Sequence, residues 1–303
     1  MKVSVLMPTY NHELFIAEAI ESFLNQICSF EIELLIGDDA STDGTLKIAQ
    51  KYVNKFPEKI KLIDHKINNG LLRNYKSIIN ISQGEYFAIL ESDDYWIDNY
   101  KLQKQIDFLD QNPTYGLSFT NWKRLRNAEL TDRVDETAML SKYSDSLYER
   151  FLLRNIIKSP TACFRRSMFE KYCNIDDYIQ FEFKTLDFPV WLSLIRNTDL
   201  HYLNSATAVY RSQSTSISNS SDVKNRLAFE ENIIKIRKYI ISLYGSGNLT
   251  DIQIANRETF VKARHAFRLK KPLNAVSIFI NGITANLLKF IFKNFSNNRH
   301  KFK

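Results

Sequence analysis

The chain has 303 residues, 44% of them hydrophobic, with 41 basic and 34 acidic side chains and a net charge of +7. This length and apolar content exclude a disordered chain and allow one large α/β domain with an appendage. The positive balance favours an anionic partner, whether a nucleotide, a membrane surface or a nucleic acid, without choosing among them. Cys28, Cys163 and Cys173 are odd in number and lack CxxC spacing, which argues against a disulfide framework or a zinc site and fits a reducing compartment. His12, His65, His201, His265 and His300 form no HxxxH or HExxH pair. An aromatic-basic motif of the nucleic-acid-binding kind is also absent, so no nucleic-acid partner is expected.

In chain order, Lys2 to Met7 reads as a first strand, too short an apolar run for a signal peptide, and the protein is expected to stay inside the cell. Pro8-Thr9-Tyr10-Asn11 is a polar loop before an amphipathic helix that places Ile16, Ala19, Ile20, Phe23, Leu24 and Ile27 on one face. The opening lacks GxGxxG, and the chain has no GxxxxGK[ST] phosphate loop. A second strand, Glu31 to Ile36, runs into Gly37-Asp38-Asp39-Ala40-Ser41-Thr42-Asp43-Gly44-Thr45 and a second helix. Ser41, Thr42 or Asp43 can cap that helix; Asp38 and Asp39 lie too early for both to do so. Ile60 to Ile63 reads as a third strand, Asn68-Asn69-Gly70 as a turn with Gly70 at positive φ, and Leu71 to Ser82 as a helix with Arg73 near its start.

Tyr86 to Leu90 is a buried fourth strand that runs directly into Glu91-Ser92-Asp93-Asp94. Acids at this density repel one another unless a hard cation bridges them; equally, Asp93 or Asp94 could cap a helix through Lys101 to Leu109. The alternation of strands and helices to this point predicts a mostly parallel sheet covered on both faces. Right-handed crossovers then bring the ends of strands one, two and four to one edge, where ligands bind in open α/β sheets.

Three ordered segments carry a family resemblance: Pro8-Thr9-Tyr10-Asn11, Ile36 to Thr45, and Gly84-Glu85-Tyr86 leading to Leu90-Glu91-Ser92-Asp93-Asp94. Together they resemble the inverting glycosyltransferases of family 2, of GT-A fold, and the sequel Tyr95-Trp96 to Lys101-Leu102-Gln103 resembles a bacterial branch acting on surface polysaccharides. The resemblance implies nucleotide-sugar contacts from Pro8, Thr9, Tyr10, Asn11, Asp38, Asp39, Arg73, Asp93 and Arg211. It implies a metal site, for Mg²⁺ or Mn²⁺, on Asp93 and Asp94. Glu91 stands where the family often has Asp.

After a strand at Gly116 to Asn121, the charged run Lys123 to Ser146 reads as a loop on the acceptor side. Tyr148 to Ile157 is expected to be helical, Ser159 to Arg166 a returning strand, and Met168 to Tyr172 a short helix. Asp187 precedes Phe188-Pro189, a helix start that it can cap. The resemblance makes the same residue the catalytic base. Leu200 to Arg211 reads as a strand, and Val209 to Ser218 resembles the family's YRxHxxSxS segment with Gln213 in place of His.

Residues 1–220 are thus expected to form the GT-A domain and 221–303 a C-terminal helical region. That region comprises helices at Val223 to Tyr244 and Ile252 to Leu269 and a last apolar-faced segment, Leu273 to Phe295, with the basic tail Arg299, Lys301 and Lys303. For the last segment two readings stand: a membrane-surface helix, or one packed on its own domain or on a second copy. The resulting expectation is a metal-dependent, inverting transfer of a sugar from a nucleotide-sugar to a hydroxyl of a glycan or lipid-linked glycan. Its expected place is the cytoplasm or the inner membrane face, and a homo-oligomer is compatible. The rival is a non-catalytic nucleotide- or glycan-binding protein on the same fold.

Overall fold

The computed structural model describes residues 1–132, 147–212 and 222–268, together with 274, 277 and 280–282. The chain divides into two compact units, Met1–Leu147 with Asn155–Gln213, and Tyr148–Arg154 with Ser214–Lys303.

In the first unit, β1 (Val3–Thr9), β2 (Ile32–Asp38), β3 (Ile60–Asp64) and β4 (Tyr86–Ile89) are parallel, joined by α1 (Ile16–Leu24), α2 (Thr45–Lys55) and α3 (Leu71–Ile81). Every residue of β1 and β4 is buried, the burial expected of strands covered on both faces. The α1 face Ile16, Ala19, Ile20 and Phe23 packs into the same core as Val3, Val5, Leu34 and Ile36. At β2 the packing is closest at Gly37: a Cβ there would lie 2.0 Å from Asn74 Oδ1, and Asn74 Nδ2 donates to the Gly37 carbonyl at 2.7 Å. Gly70 takes φ +84°, the conformation expected from the Asn68-Asn69-Gly70 turn.

The remaining elements of this unit are β5 (Tyr95–Trp96), α4 (Lys101–Gln111), β6 (Tyr115–Arg126), β7 (Glu129–Asp132), β8 (Cys163–Arg165), α6 (Arg166–Tyr172), α7 (Ile175–Gln180), α8 (Asp187–Asn197) and β9 (Asp199–Arg211). Helix α5 (Leu147–Leu153) falls between β7 and β8. The strand order is β3-β2-β1-β4-β8-β6-β9-β5, with β7 on β6; antiparallel pairs enter beyond β4, while β6 and β9 are parallel. Chain order reverses between β1 and β4, where an open sheet leaves a crevice at its carboxyl edge.

Two expectations need correction. The run from Lys123 is not a loop as far as Asp132. β6 continues to Arg126, turns through Asn127 (φ 50°) and Ala128 (φ 62°), and returns as β7. Two positive-φ residues are what a two-residue hairpin requires, and Asn-Ala hides it because Gly is the usual second residue. Residues 133–146 lie outside the described residues. The helix predicted for Tyr148 to Ile157 covers only Leu147–Leu153, and a short 3₁₀ turn, Ser159–Thr161, precedes β8. The cysteines are free thiols, Cys163 buried and the others half-buried, in keeping with the sequence reading.

The second unit contains α9 (Val223–Tyr244), α10 (Asp251–Arg268) and Tyr148–Arg154. Asp222 caps α9 by accepting the Lys224 N–H at 2.7 Å, and Gly245 at φ +77° ends it. Buried Arg237 donates to the Leu152 carbonyl, and Tyr148 Oη donates to that of Gly245 at 2.8 Å. No helix among the described residues is long and apolar enough to cross a membrane. Most of the Leu273 to Phe295 segment and its basic tail lie outside them.

Lys101 offers a test of the packing. It is wholly buried, with Nζ 2.7 Å from Gln105 Oε1 and 4.6 Å from the Trp96 ring centroid, and burial pulls its pKa down to about 8. Because the folded value lies below the unfolded one, stability is gained as pH rises from about 8 toward 10.5 and lost as pH falls back through that window. Relative to Lys101→Met, wild-type stability should rise across the window by on the order of 3 kcal/mol. Thermal melts at pH 7.5 and 9.5 check this; equal pH slopes in the two proteins would contradict it.

Candidate active site

The acids after β4 do not cap a helix. Helix α4 starts at Lys101, and the Asp98 carboxylate accepts the Tyr100 N–H before it at 2.9 Å. The chain instead leaves the sheet centre at β4, turns tightly, with the Asp94 N–H on the Glu91 carbonyl at 2.9 Å, and re-enters beside β9 as β5. This path gathers Glu91, Asp93 and Asp94, whose ligand oxygens all lie within 4.8 Å of one another.

Their electrostatics follow from the crowding. Burial raises the Glu91 carboxyl to about 8, with Asp93 and then Asp187 adding to it, against a 3.3 Å hydrogen bond from Tyr75 Oη and the charge of Lys158. Burial also holds Asp93 above the usual carboxylate range, and it raises Asp94 further, with Asp93 and Glu91 adding their repulsion. Asp94 Oδ2 is buried with no hydrogen-bond partner, while Oδ1 accepts the Arg211 N–H at 2.7 Å. A hard divalent cation takes carboxylate oxygens as ligands and removes their mutual repulsion, so this donor set fits Mg²⁺ or Mn²⁺.

The β1 and β2 loops stand on the other side of the crevice. Thr9 and Asp38 are register partners, and both are buried with an unpartnered side-chain oxygen, Thr9 Oγ1 and Asp38 Oδ1. Asp38 Oδ2 accepts the Ser41 N–H at 2.9 Å. Both Asp39 oxygens are committed to the loop before α3, accepting the N–H groups of Asn69 and Gly70 at 2.7 and 2.9 Å. Arg73 follows in the first turn of α3, exposed. Asn11 joins the two loops: its N–H donates to Ser41 Oγ and its Oδ1 accepts the Thr42 N–H. Asn11 and Ala40 hold φ values of 55° and 61°, left-handed backbone that a side chain normally avoids. Pro8 is buried, and Tyr10 and Asn11 are the exposed side chains of the first loop. Asp43 is structural: Oδ1 takes the N–H and hydroxyl of Thr45, at the start of α2.

Asp187 is the first residue of α8, one position inside the predicted cap. Its Oδ1 accepts the Phe188 N–H at 2.6 Å and the Thr185 hydroxyl, and its Oδ2 accepts Asn155 Nδ2 at 2.9 Å. The carboxylate stands close enough to Glu91 to raise that group's pKa. Arg211 is brought to the acids, with Nε on the Asp93 carbonyl at 2.7 Å, while its guanidinium pairs with Glu18 and lies over Phe15 and Tyr95. Gln213 lies outside the described residues.

Residues not expected from the sequence also enter the site. Buried Ser92 donates to the Pro8 carbonyl at 3.4 Å and pairs with His12 Nδ1 at 2.7 Å, tying the first loop to the acids. Tyr75, Asn155 and Lys158 reach it from α3 and from the stretch before β8. A polar or basic residue outside a recognisable motif carries no sequence signal, and only the sheet order assembles these.

Residues 4–173 match the model of the family described as Glycosyl transferase family 2, and the chain belongs to that family. It is 30% identical over 221 residues to TuaG of Bacillus subtilis, named for teichuronic acid biosynthesis, with 72% of this chain and 82% of TuaG covered. The chain spans about half the length of the first curated relatives it matches. The crystal structure of S. aureus TarS 1–349 in complex with UDP-GlcNAc aligns with TM-score 0.64 at 23% identity, covering 94% of this chain and 80% of that one. The mannosyltransferase PcManGT from Pyrobaculum calidifontis, in complex with GDP-Man and Mn²⁺, aligns with TM-score 0.55 at 15% identity, covering 96% of this chain and 87% of that one. The fold is GT-A.

The raised carboxyls predict proton release. At pH 7 the metal-free cluster holds protons that a bound cation must displace, because only the ionised carboxylate is a good ligand. Calorimetric titration with Mn²⁺ in buffers of different ionisation enthalpy should show about one proton released per ion, falling as pH rises past 8. Binding with no proton release at pH 7 would contradict the electrostatics described.

Proposed function

We propose that the protein transfers a sugar from a nucleotide-diphosphate-sugar to an acceptor hydroxyl, with inversion, in the building of a cell-surface polysaccharide. The observation that carries this is the three-carboxylate cluster at the sheet's switch point, facing two loops with unpartnered buried oxygens on one side and Asp187 on the other. Family membership and the likeness to a protein named for teichuronic acid biosynthesis support the reaction class and the pathway type.

In this reading Pro8, Thr9, Tyr10, Asn11, Asp38, Asp39 and Arg73 shape the nucleoside end. Asp39 acts largely by fixing the Asn69-Gly70 backbone, and Tyr10 is the side chain presented to the ligand. Asp93 and Asp94, with Glu91 beside them, would hold Mg²⁺ or Mn²⁺. When bound, the ion supplies charge neutralisation for the departing diphosphate. Arg211 fixes the Asp93-Asp94 turn and adds positive charge to it. Asp187 takes the proton from the acceptor hydroxyl as that oxygen attacks the anomeric carbon opposite the leaving group, and this single displacement inverts the configuration. Its hydrogen bonds from Asn155, Thr185 and the Phe188 N–H hold the carboxylate in one orientation for that transfer. The acceptor is a glycan or a lipid-linked glycan. The cytoplasmic side of the membrane, where such acceptors and nucleotide-sugars meet, is the setting this reading requires.

Separable losses test the roles. Asp187→Asn should bind donor as wild type does while transfer falls by roughly 100-fold or more, and Asp94→Asn should abolish the Mn²⁺ dependence of donor binding. A purified Asp187→Asn enzyme that transfers at the wild-type rate removes the base from this residue.

A further inference from the structure

The Tyr95-Trp96 to Lys101 stretch is not consumed by the acidic cluster, and its contacts lead elsewhere. Trp96 Nε1 donates to the Pro160 carbonyl at 2.8 Å. Lys101 lies over the Trp96 ring and holds Gln105, whose Nε2 donates to the carbonyls of Ser118 and Thr161 at 2.9 and 3.0 Å. Both the N–H and the hydroxyl of Thr161 return to the Lys158 carbonyl, at 2.9 and 2.7 Å. A buried network thus fixes the turn Ser159–Thr161 and sets the backbone from which the Lys158 side chain starts.

That side chain is laid on an aromatic floor. Lys158 Nζ lies 4.2 Å from the Tyr210 ring centroid and 5.5 Å from that of Trp122, and the two rings meet edge to face at 5.5 Å. The same indole carries the Arg124 guanidinium at 5.8 Å, and Arg124 Nε is buried without a hydrogen-bond partner. Tyr210 precedes Arg211, whose N–H binds Asp94, so the two cations stand next to the acidic cluster. The charge of Lys158 also lowers the carboxyl pKa of Glu91 and Asp94.

A buried guanidinium N–H without an acceptor is costly, and an oxyanion placed there supplies one, with the Lys158 ammonium on the same indole adding its charge. The sheet order decides whose oxyanion it is. The loops assigned to the nucleoside lie on β1 and β2, the acids follow β4, and Arg124 and Tyr210 lie on β6 and β9, beyond the acids from the nucleoside. We propose that Lys158 and Arg124, laid on Trp122 and Tyr210, bind an oxyanion of the acceptor, so that the acceptor is a glycan bearing a phosphate or carboxylate near its reacting hydroxyl. This rests on the transferase reading given above.

The test is calorimetric titration of the full chain with sn-glycerol 3-phosphate, with glycerol as the uncharged control, and separately with inorganic pyrophosphate plus Mn²⁺ as the donor-side probe. Wild type should bind glycerol 3-phosphate and not glycerol. Lys158→Met, which keeps the aliphatic stem on the rings, and Arg124→Gln should each weaken it by about tenfold or more, while Lys158→Arg stays within about threefold. Saturation with Mn²⁺–pyrophosphate should leave glycerol 3-phosphate binding in place. No binding to wild type, undiminished binding to Lys158→Met, or displacement by Mn²⁺–pyrophosphate overturns the assignment, the last by giving the oxyanion to the donor. Failure of wild type to bind Mn²⁺–pyrophosphate instead overturns the transferase reading, and this inference with it.

Discussion

Three carboxylates confined at the carboxyl end of a fully buried strand are the constraint on which the site depends. Like charges this close, partly withdrawn from water, cannot all be ionised without a cation, and the raised pKa of each expresses that. The surroundings do not dissolve the conflict. Asp94 keeps one oxygen unpartnered, Glu91 receives the Tyr75 hydroxyl at 3.3 Å, and the nearby cations Arg211 and Lys158 also engage Glu18 and aromatic rings. Stability is given up here, and a divalent ion bound to these oxygens would relieve the conflict.

Around that cluster the fold acts as a positioning device. The reversal of strand order between β1 and β4 opens the crevice, and the Ser92–His12 and Asn11–Ser41 contacts lock the loops that border it. The positive φ of Asn11 and Ala40 places backbone strain at the crevice, where the structure over-determines it. The buried Lys101–Gln105–Trp96 network extends the same rigidity to the Ser159–Thr161 turn, so that wall of the site rests on buried hydrogen bonds.

The parallel half of the sheet was legible because its signals are local: β-branched runs, amphipathic helices, and acids directly after strands. Asp93 and Asp94 stood out for the same reason, as did Gly70 at its turn. Glu91 stands where the resembling family often has Asp, and the tight turn at Asp94 folds it into the group. The hairpin at Asn127-Ala128 was hidden because its turn lacks the glycine that usually marks it. That the Asp39 carboxylate closes the Asn69-Gly70 loop has no local signal either, since its partners lie 30 and 31 residues on. Tyr75, His12, Asn155 and Lys158 had no signature at all, since what makes each of them part of the site is a neighbour 16 to 80 residues away; for Lys158 it is a pair of rings on strands its own sequence does not adjoin.

The central claim is that this crevice binds a nucleotide-sugar through a metal held by the acids after β4. The most direct measurement is a thermal-shift screen of UDP-, GDP-, CDP- and dTDP-sugars with and without Mn²⁺, on wild type and Asp94→Asn, because a ligand that binds only the folded form raises its apparent stability. The account predicts that at least one donor stabilises wild type in the presence of Mn²⁺, and that the shift disappears without the ion and in the variant. A screen in which no donor shifts wild type, or in which the shift is the same without Mn²⁺ and in Asp94→Asn, would contradict it.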